Sequence, residues 1–445
     1  MNVRLHFIGA LSGAVWTWLA WASHGTQTLA MLFGAVGVAW VLLAVAWFCA
    51  SSADAKAIVR AVWIWGVLFR VAGFFGEPLF EDDWARYLWD GRQLIVSGNP
   101  YATAPVDHFA DDNVPEPFRR LLDEINNPDA PTIYGPVCQF AFALSHLIAP
   151  AHLWPLKLLL LAADLLTLAL LLRLVPRRHA LLYAWCPLLI QETAFSAHPD
   201  SLWVLFMVAG LHALTMKSSV RLAVCCGLAL ATKFFAVIIL PFLLARVAWK
   251  HRLLALLVAI ATYLPFWLQG SAGDFAGLAR MAGDWEFNAT IYAWLGRWLG
   301  TSRAKVLTLT TFTAIWLAMF WRWASSNCGE GAPKTACGEA PHLRLLPRGD
   351  VIFGVFFLLS PVVNPWYLLA LPPFVVLQPS AWGVGALVVV TLSYVHGLNM
   401  REPSLAAYEQ PGWVPLSEFG VVALLLVALV VGRRRRLRSA ERNGD

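Results

Sequence analysis

The sequence predicts an all-α polytopic membrane protein forming one integral domain over residues 1–445, and three observations carry that prediction. Apolar runs of bilayer-crossing length recur from end to end. Hydrophobic residues make up 59% of the chain and charged residues only 13%, at a mean hydropathy of +0.62, so a soluble fold would need a single core of implausible size. The charges are also sorted, with Lys and Arg gathered at the ends of the runs. Loop lysines and arginines therefore explain the net charge of +6, and the absence of a basic face with interleaved aromatics excludes a nucleic-acid partner. Cys49, Cys138, Cys186, Cys225 and Cys226 lie in apolar runs and read as small buried hydrophobes, not a disulfide framework; Cys328 and Cys337 share a Gly-rich loop with His342, a weak metal pattern.

Taken in order, the first run, 5–22, follows Arg4 as a signal peptide would. No convincing small-residue cleavage site follows it and a second run starts at Leu29, so it reads as a retained span. Spans over 5–22, 29–49 and 57–75 put Lys56 and Arg60 on the side of the N-terminus, which is cytoplasmic by the positive-inside rule. The loop 76–134 is then extracytoplasmic. It is the longest polar stretch, carrying Asp107, Asp111, Asp112, Glu116, Asp123 and Glu124 among many prolines, and is expected to be partly folded against the membrane face. Next come 133–148 and 154–175, then the basic cluster Arg173, Arg177 and Arg178. Two full crossings would put that cluster outside, so 133–148 is expected to dip in or lie at the interface. Spans over 180–196 and 200–216 return to Lys217 and Arg221 and leave Glu192, His198 and Asp200 at the outer end.

The segment 222–245 lies between two basic groups that both belong in the cytoplasm, and a single crossing would separate them. A broken hairpin resolves the conflict, bent at Thr232-Lys233-Phe234 with Pro241 on the return limb. Lys233 then sits at membrane depth, where an ionisable residue is costly and points to function. A span over 253–268 leads to an outer loop, 270–292, holding Asp274, Arg280, Asp284, Trp285, Glu286 and Asn288; a span over 305–321 returns to a cytoplasmic loop, 322–349. The run 351–377 repeats the parity conflict and is expected to bend at 360–367. Spans over 381–398 and 414–432 then bring the basic tail 433–445 into the cytoplasm. The expectation is about 11 crossing helices plus broken or re-entrant half-helices, with both bends toward the outer side.

The densest knot of charge is Glu81-Asp82-Asp83-Trp84-Ala85-Arg86-Tyr87-Leu88-Trp89-Asp90-Gly91, running on to Gly98-Asn99-Pro100-Tyr101, directly after the third span. On a helix starting near Asp82, the positions Asp82, Arg86 and Asp90 fall at i, i+4 and i+8 and make one acidic, Arg-bearing face. Charge patterning alone also admits a solvated juxtamembrane helix held by ion pairs.

That string, with Tyr134-Gly135-Pro136 after it, resembles the first-loop signature of polyprenyl-phosphate-sugar-dependent glycosyltransferases of the GT-C superfamily. Among these it resembles the membrane mannosyltransferases, including bacterial α-mannopyranosyltransferases and the eukaryotic GPI first mannosyltransferase. Supporting matches are His198-Pro199-Asp200, Thr232-Lys233-Phe234 before Leu240-Pro241, Trp285-Glu286-Phe287-Asn288 before Ile291-Tyr292, and Ser360-Pro361-Val362-Val363-Asn364-Pro365-Trp366-Tyr367. The resemblance covers roughly residues 57–400; the Gly98-Asn99 spacing is one residue shorter than usual, and two spans precede the motif-bearing one.

The resemblance implies a GT-C type bundle in a bacterial inner (plasma) membrane, with an extracytoplasmic active site. There a hexose, mannose by the family, would pass from a polyprenyl-phosphate sugar donor to a hydroxyl of a lipid or glycan acceptor, with membrane lipid as surroundings. Such a transfer needs a base for the acceptor and stabilisation of phosphate charge. Asp82 is the leading base candidate, with Asp83 as the alternative or a metal-binding neighbour. Arg86 and Lys233 are candidates for the donor phosphate. Tyr87, Asp90, Asn99, Tyr101, Tyr134, His198, Asp200, Glu286, Asn288, Asn364 and Tyr367 are candidates for lining the substrate. No cofactor is certain; the paired carboxylates suit either a divalent metal or Arg86. The competing class is a secondary transporter or lipid-linked sugar flippase, which also uses broken helices and midplane ions.

Overall fold

Uninterrupted runs of Leu, Ala, Val and Trp become the long helices of the computed structural model, which describes residues 3–270, 275–326 and 347–442. Among the described residues regular structure is helical throughout, apart from one isolated parallel bridge between Phe287 and Val362. Five helices are long and apolar enough to cross a bilayer: Val3–Ser23 (α1), Leu29–Cys49 (α2, extended by one 3₁₀ turn to Ser52), Ala55–Phe74 (α3), Trp154–Leu174 (α7) and Thr301–Ser326 (α16). Local chemistry sets several starts. Thr28 accepts from the Met31 amide at the head of α2, and Asp54 accepts from the Ala57 amide at the head of α3.

The loop 76–134 is folded, as expected. It contains α4 (Asp83–Ser97), a 3₁₀ turn Pro105–His108 and α5 (Glu116–Glu124). Ala85, Leu88 and Trp89 of α4 form a small core with Val114, Phe118, Leu121 and Leu122, while Tyr87 turns the other way onto Cys138 and Phe142 of α6 (Pro136–Ile148). Gly91 lets α4 lie against α6, because a Cβ there would stand 2.4 Å from the Phe142 carbonyl oxygen. With 13 residues α6 is about 20 Å long, short of the roughly 30 Å hydrocarbon core.

Most of the remaining apolar runs are shorter or broken, so among the described residues five helices long and apolar enough to span, with several shorter apolar helices, stand against an expectation of about 11 crossing helices plus half-helices. Proline stands at two of the breaks, Pro187 and the Pro361–Pro365 bend. The run 180–196 divides at Pro187 into α8 (Leu181–Ala184), α9 (Pro187–Leu189) and a π-helix, Ile190–Phe195. It is followed by α10 (Asp200–Thr215) and α11 (Ser219–Thr232). At Lys233 the backbone is extended, and a 3₁₀ turn Phe234–Ile238 with α12 (Leu240–Leu244) packs back along α11, the break expected there. After α13 (Trp249–Trp267) come α14 (Phe275–Asp284), α15 (Ile291–Leu299) and α16. The run 351–377 is interrupted as expected, between α17 (Gly349–Leu359) and a 3₁₀ turn Pro365–Ala370 leading to α18 (Pro372–Leu377). The run 381–398 also divides, into α19 (Ala381–Val389), a 3₁₀ turn Val390–Tyr394 and α20 (Gly397–Met400), before α21 (Trp413–Arg442). Cys328, Cys337, His342 and most of the loop 322–349 lie outside the described residues, as does Asp274.

Charge buried among the spans is paired. Arg70 of α3 bonds Asp164 of α7, both 1% exposed, and Tyr183 donates to the same carboxylate at 2.7 Å. Lys157 of α7 donates to the carbonyls of Gly73, Phe74 and Gly76 at the end of α3, fixing the point from which the acidic motif starts.

Candidate active site

A cavity of about 530 Å³ opens where the acidic motif, the break after α11 and the bend after α17 meet. That volume falls within the usual range for ligand sites, roughly 300 to 1,000 Å³. Three contacts assemble its walls. Gly135 brings the Tyr134-Gly135-Pro136 segment against the end of α11, where a Cβ would lie 2.4 Å from the Ala231 carbonyl oxygen. The Phe287 amide donates to Pro361 O (3.0 Å) and the Val363 amide to Phe287 O (2.9 Å), tying the Trp285-Glu286-Phe287-Asn288 strip to the 360–367 bend. Phe80, which lines the cavity, and Asn288 and Ala197, which do not, all take positive φ, a conformation that L-residues adopt at a cost.

Asp82 is the N-cap of α4 and Asp83 its first residue, so the carboxylates stand at the end where helical amides point outward. Asn126 donates to Asp82 Oδ1 at 2.5 Å and to Asp83 Oδ1 at 3.2 Å, and the Tyr134 hydroxyl donates to Asp83 Oδ2 at 3.1 Å. Burial, reinforced by the neighbouring Asp83, pushes the Asp82 carboxyl up to about 6. Burial and the repulsion of Asp83 and Asp82 push Glu81 well above the usual carboxylate range.

Directly behind these acids is His198, fully buried and stacked on the face of Trp366 with ring centroids 4.2 Å apart. Its Nε2 lies 3.9 Å from Asp83 Oδ2 and 4.0 Å from Glu81 Oε2, while Nδ1 lies 3.1 Å from Glu192 Oε2. The π-helix is what brings Glu192 and His198 together, a local widening found often at functional sites. Tyr394 donates to the other Glu192 oxygen at 2.9 Å.

In the same cavity Lys233 Nζ bonds Asp200 Oδ1 at 2.7 Å and stands over the rings of Tyr367 (4.5 Å) and Phe235 (5.1 Å). The lysine is one-fifth exposed and Asp200 only 1%, so the ammonium remains on the cavity wall while its counter-charge is sealed behind it. The cavity thus carries both carboxylates that accept protons and a cation for an anionic group. Trp285, Trp366, Tyr394 and Tyr408 supply aromatic surface in it.

Of the residues expected from sequence, Asp82, Asp83, Arg86, Tyr134, Lys233, Glu286, Asn364 and Tyr367 line this one cavity. His198 and Asp200 contact it from behind. Arg86 donates to the carbonyls of Asn127 and Ala130, bracing the loop that carries Asn126. Five expected lining residues lie elsewhere. Asp90 accepts from Thr132 and Gln139, Asn99 from the Tyr101 amide, and Tyr101 donates to the Tyr134 carbonyl, so all three support the segment before Gly135. Asn288 donates to Glu418 of α21 at 2.7 Å. Tyr87 is buried against Phe142. Glu81, Asn126, Glu192, Trp366, Tyr394 and His396 belong to the site or its immediate backing and were not selected from sequence; Glu192 and His198 share one nonapeptide, the signal closest to hand.

Comparison with known proteins gives one family. The family model described as alpha-(1->6)-mannopyranosyltransferase, N-terminal domain, matches residues 8–249, a stretch that includes the acidic motif, His198, Asp200 and Lys233 but not the strips at 285–288 and 360–367. No curated protein and no solved structure gives a significant match. Since the match covers more than half of the 445 residues, the chain belongs to the alpha-(1->6)-mannopyranosyltransferase family and is a membrane mannosyltransferase.

Proposed function

We propose that the chain takes mannose from a polyprenyl-phosphate mannose donor and transfers it to a hydroxyl of a lipid or glycan acceptor, with the reaction on the extracytoplasmic face of a bacterial plasma membrane. The observation that carries the reading is that Asp82 and Lys233 line one and the same cavity. In the transfer, the acceptor oxygen forms a bond to the anomeric carbon as the bond from that carbon to the phosphate oxygen breaks. Asp82 receives the hydroxyl proton, and the negative charge left on the lipid phosphate is met by Lys233. Asn126 orients Asp82 and Tyr134 orients Asp83. The lipid chain of the donor reaches the site within the bilayer, and the backbone breaks at Lys233 and 360–364 are tolerable because they line a cavity. The two hairpins each enter and leave on the cytoplasmic side, so the number of crossings is even and both termini lie in the cytoplasm.

The transporter or flippase reading, open from sequence, gives way to family membership. Incubating membranes that contain the chain with labelled polyprenyl-phosphate mannose and a lipid extract tests the proposal. Label is expected to move into an acceptor only where the chain is present. Equal transfer by control membranes, or transfer from a nucleotide sugar alone, would overturn it.

A further inference from the structure

Three carboxylates in sequence, Glu81, Asp82 and Asp83, share one corner of the cavity with Glu192 behind them, while Lys233 is already engaged by Asp200. Such crowding of like charge needs compensation within that corner. The buried His198 ring aims Nε2 between Glu81 Oε2 (4.0 Å) and Asp83 Oδ2 (3.9 Å), too far for a hydrogen bond to either, and Nε2 has no hydrogen-bond partner in the protein. A fully buried imidazole nitrogen without a partner is costly unless something lies in front of it.

We infer that Glu81, Asp83 and His198 form a binding site for one divalent cation of the Mn²⁺ or Zn²⁺ class, with Glu192 holding the imidazole in place. The ligand atoms of the three residues all lie within 4.8 Å of one another. Two ligands on one ion with bonds of about 2.0 to 2.2 Å can be no more than about 4.4 Å apart, so both distances to His198 are already within reach and the carboxylates need only a slight inward rotation. One imidazole with two carboxylates suits these ions better than Ca²⁺, which prefers an all-oxygen shell. Glu192 stands 3.1 Å from Nδ1, the carboxylate–histidine arrangement that orients a metal-bound ring, although the angle is too poor for a hydrogen bond as it stands. Trp366 stacked on the ring and Tyr394 bonded to Glu192 fix the rest. The open coordination positions face the cavity beside Asp82.

The site shares the cavity with the transferase reading, but its test uses metal alone, so either can fail without the other. The full chain, purified in detergent and stripped with a chelator, is titrated with Mn²⁺ and separately with Zn²⁺, counting bound ions. One ion per chain is expected, and spin-echo modulation of bound Mn²⁺ should show a directly coordinated nitrogen. Glu81→Gln and Asp83→Asn, whose side chains are partly exposed and whose loss the fold should tolerate, are each expected to weaken binding at least tenfold. Glu192→Gln should weaken it about 10- to 100-fold, and His198→Gln should remove the nitrogen signal. Should His198→Gln not fold, the two carboxylate variants still decide. No saturable binding of either ion to the wild type, or wild-type affinity in both carboxylate variants, overturns the inference.

Discussion

Lys233 shows how one side chain is asked to serve two partners. Its ammonium is the counter-charge of the buried Asp200 and also the cation facing the cavity. Removing one member of a buried pair typically costs about 3 to 5 kcal/mol, because the other is left charged and unpaired. Lys233→Met is therefore expected to abolish transfer and lower thermal stability together, whereas the double variant Lys233→Met with Asp200→Asn should recover stability but not transfer. Turnover at saturating donor close to wild type in either variant would remove Lys233 from the phosphate role. Asp83 makes the companion case. Its bonds run to Asn126 and Tyr134, so Asp83→Asn should raise the donor concentration or metal concentration needed more than it slows the bound complex.

At the scale of elements, the site is made by interruptions. Helices stop at Thr232 and Leu359, a π-helix replaces α-helix at 190–195, and glycines allow backbone to approach backbone. Gly135→Ala forces a methyl toward the Ala231 carbonyl oxygen and is predicted to destabilise the protein by about 1 to 3 kcal/mol, read as a lowered melting temperature. A melting temperature equal to wild type would show that the 134–136 segment is not clamped to α11. The breaks at Lys233 and 360–364 were legible in the sequence, since charge parity forbade a single crossing and Lys or Asn-Pro offered no other use at that depth. The acidic motif was legible for the same reason, as charge in an apolar chain. What could not be read was convergence. Whether Asp90 faces the cavity or Thr132 depends on how α4 is rotated against α6, set by Gly91 and Phe142, and the partnership of Glu192 with Tyr394 spans about two hundred residues. The fragmentation at Pro187 and within 381–398 was missed because hydropathy measures how apolar a run is and not whether its backbone stays helical.

For the whole molecule, the proposed topology puts Asp112 and Asp284 outside and Arg177, Arg246 and Arg435 inside, with Lys334, beyond the described residues, inside as well. Single cysteines at these positions in a cysteine-free background should report those sides with a membrane-impermeant reagent. Labelling of position 246 from outside would sink the hairpin over 222–245, and with it the placement of Lys233 on the outer side. The central claim is that this cavity moves a sugar with Asp82 as base, and Asp82→Asn probes it most directly because it keeps shape and hydrogen bonding while losing the ability to accept a proton at neutral pH. The decisive measurement follows transfer from labelled polyprenyl-phosphate mannose by wild type and Asp82→Asn, with donor binding determined separately. The predicted result is a fall in turnover of about 10² to 10⁴ with donor binding retained. Near-normal transfer by Asp82→Asn would contradict the account.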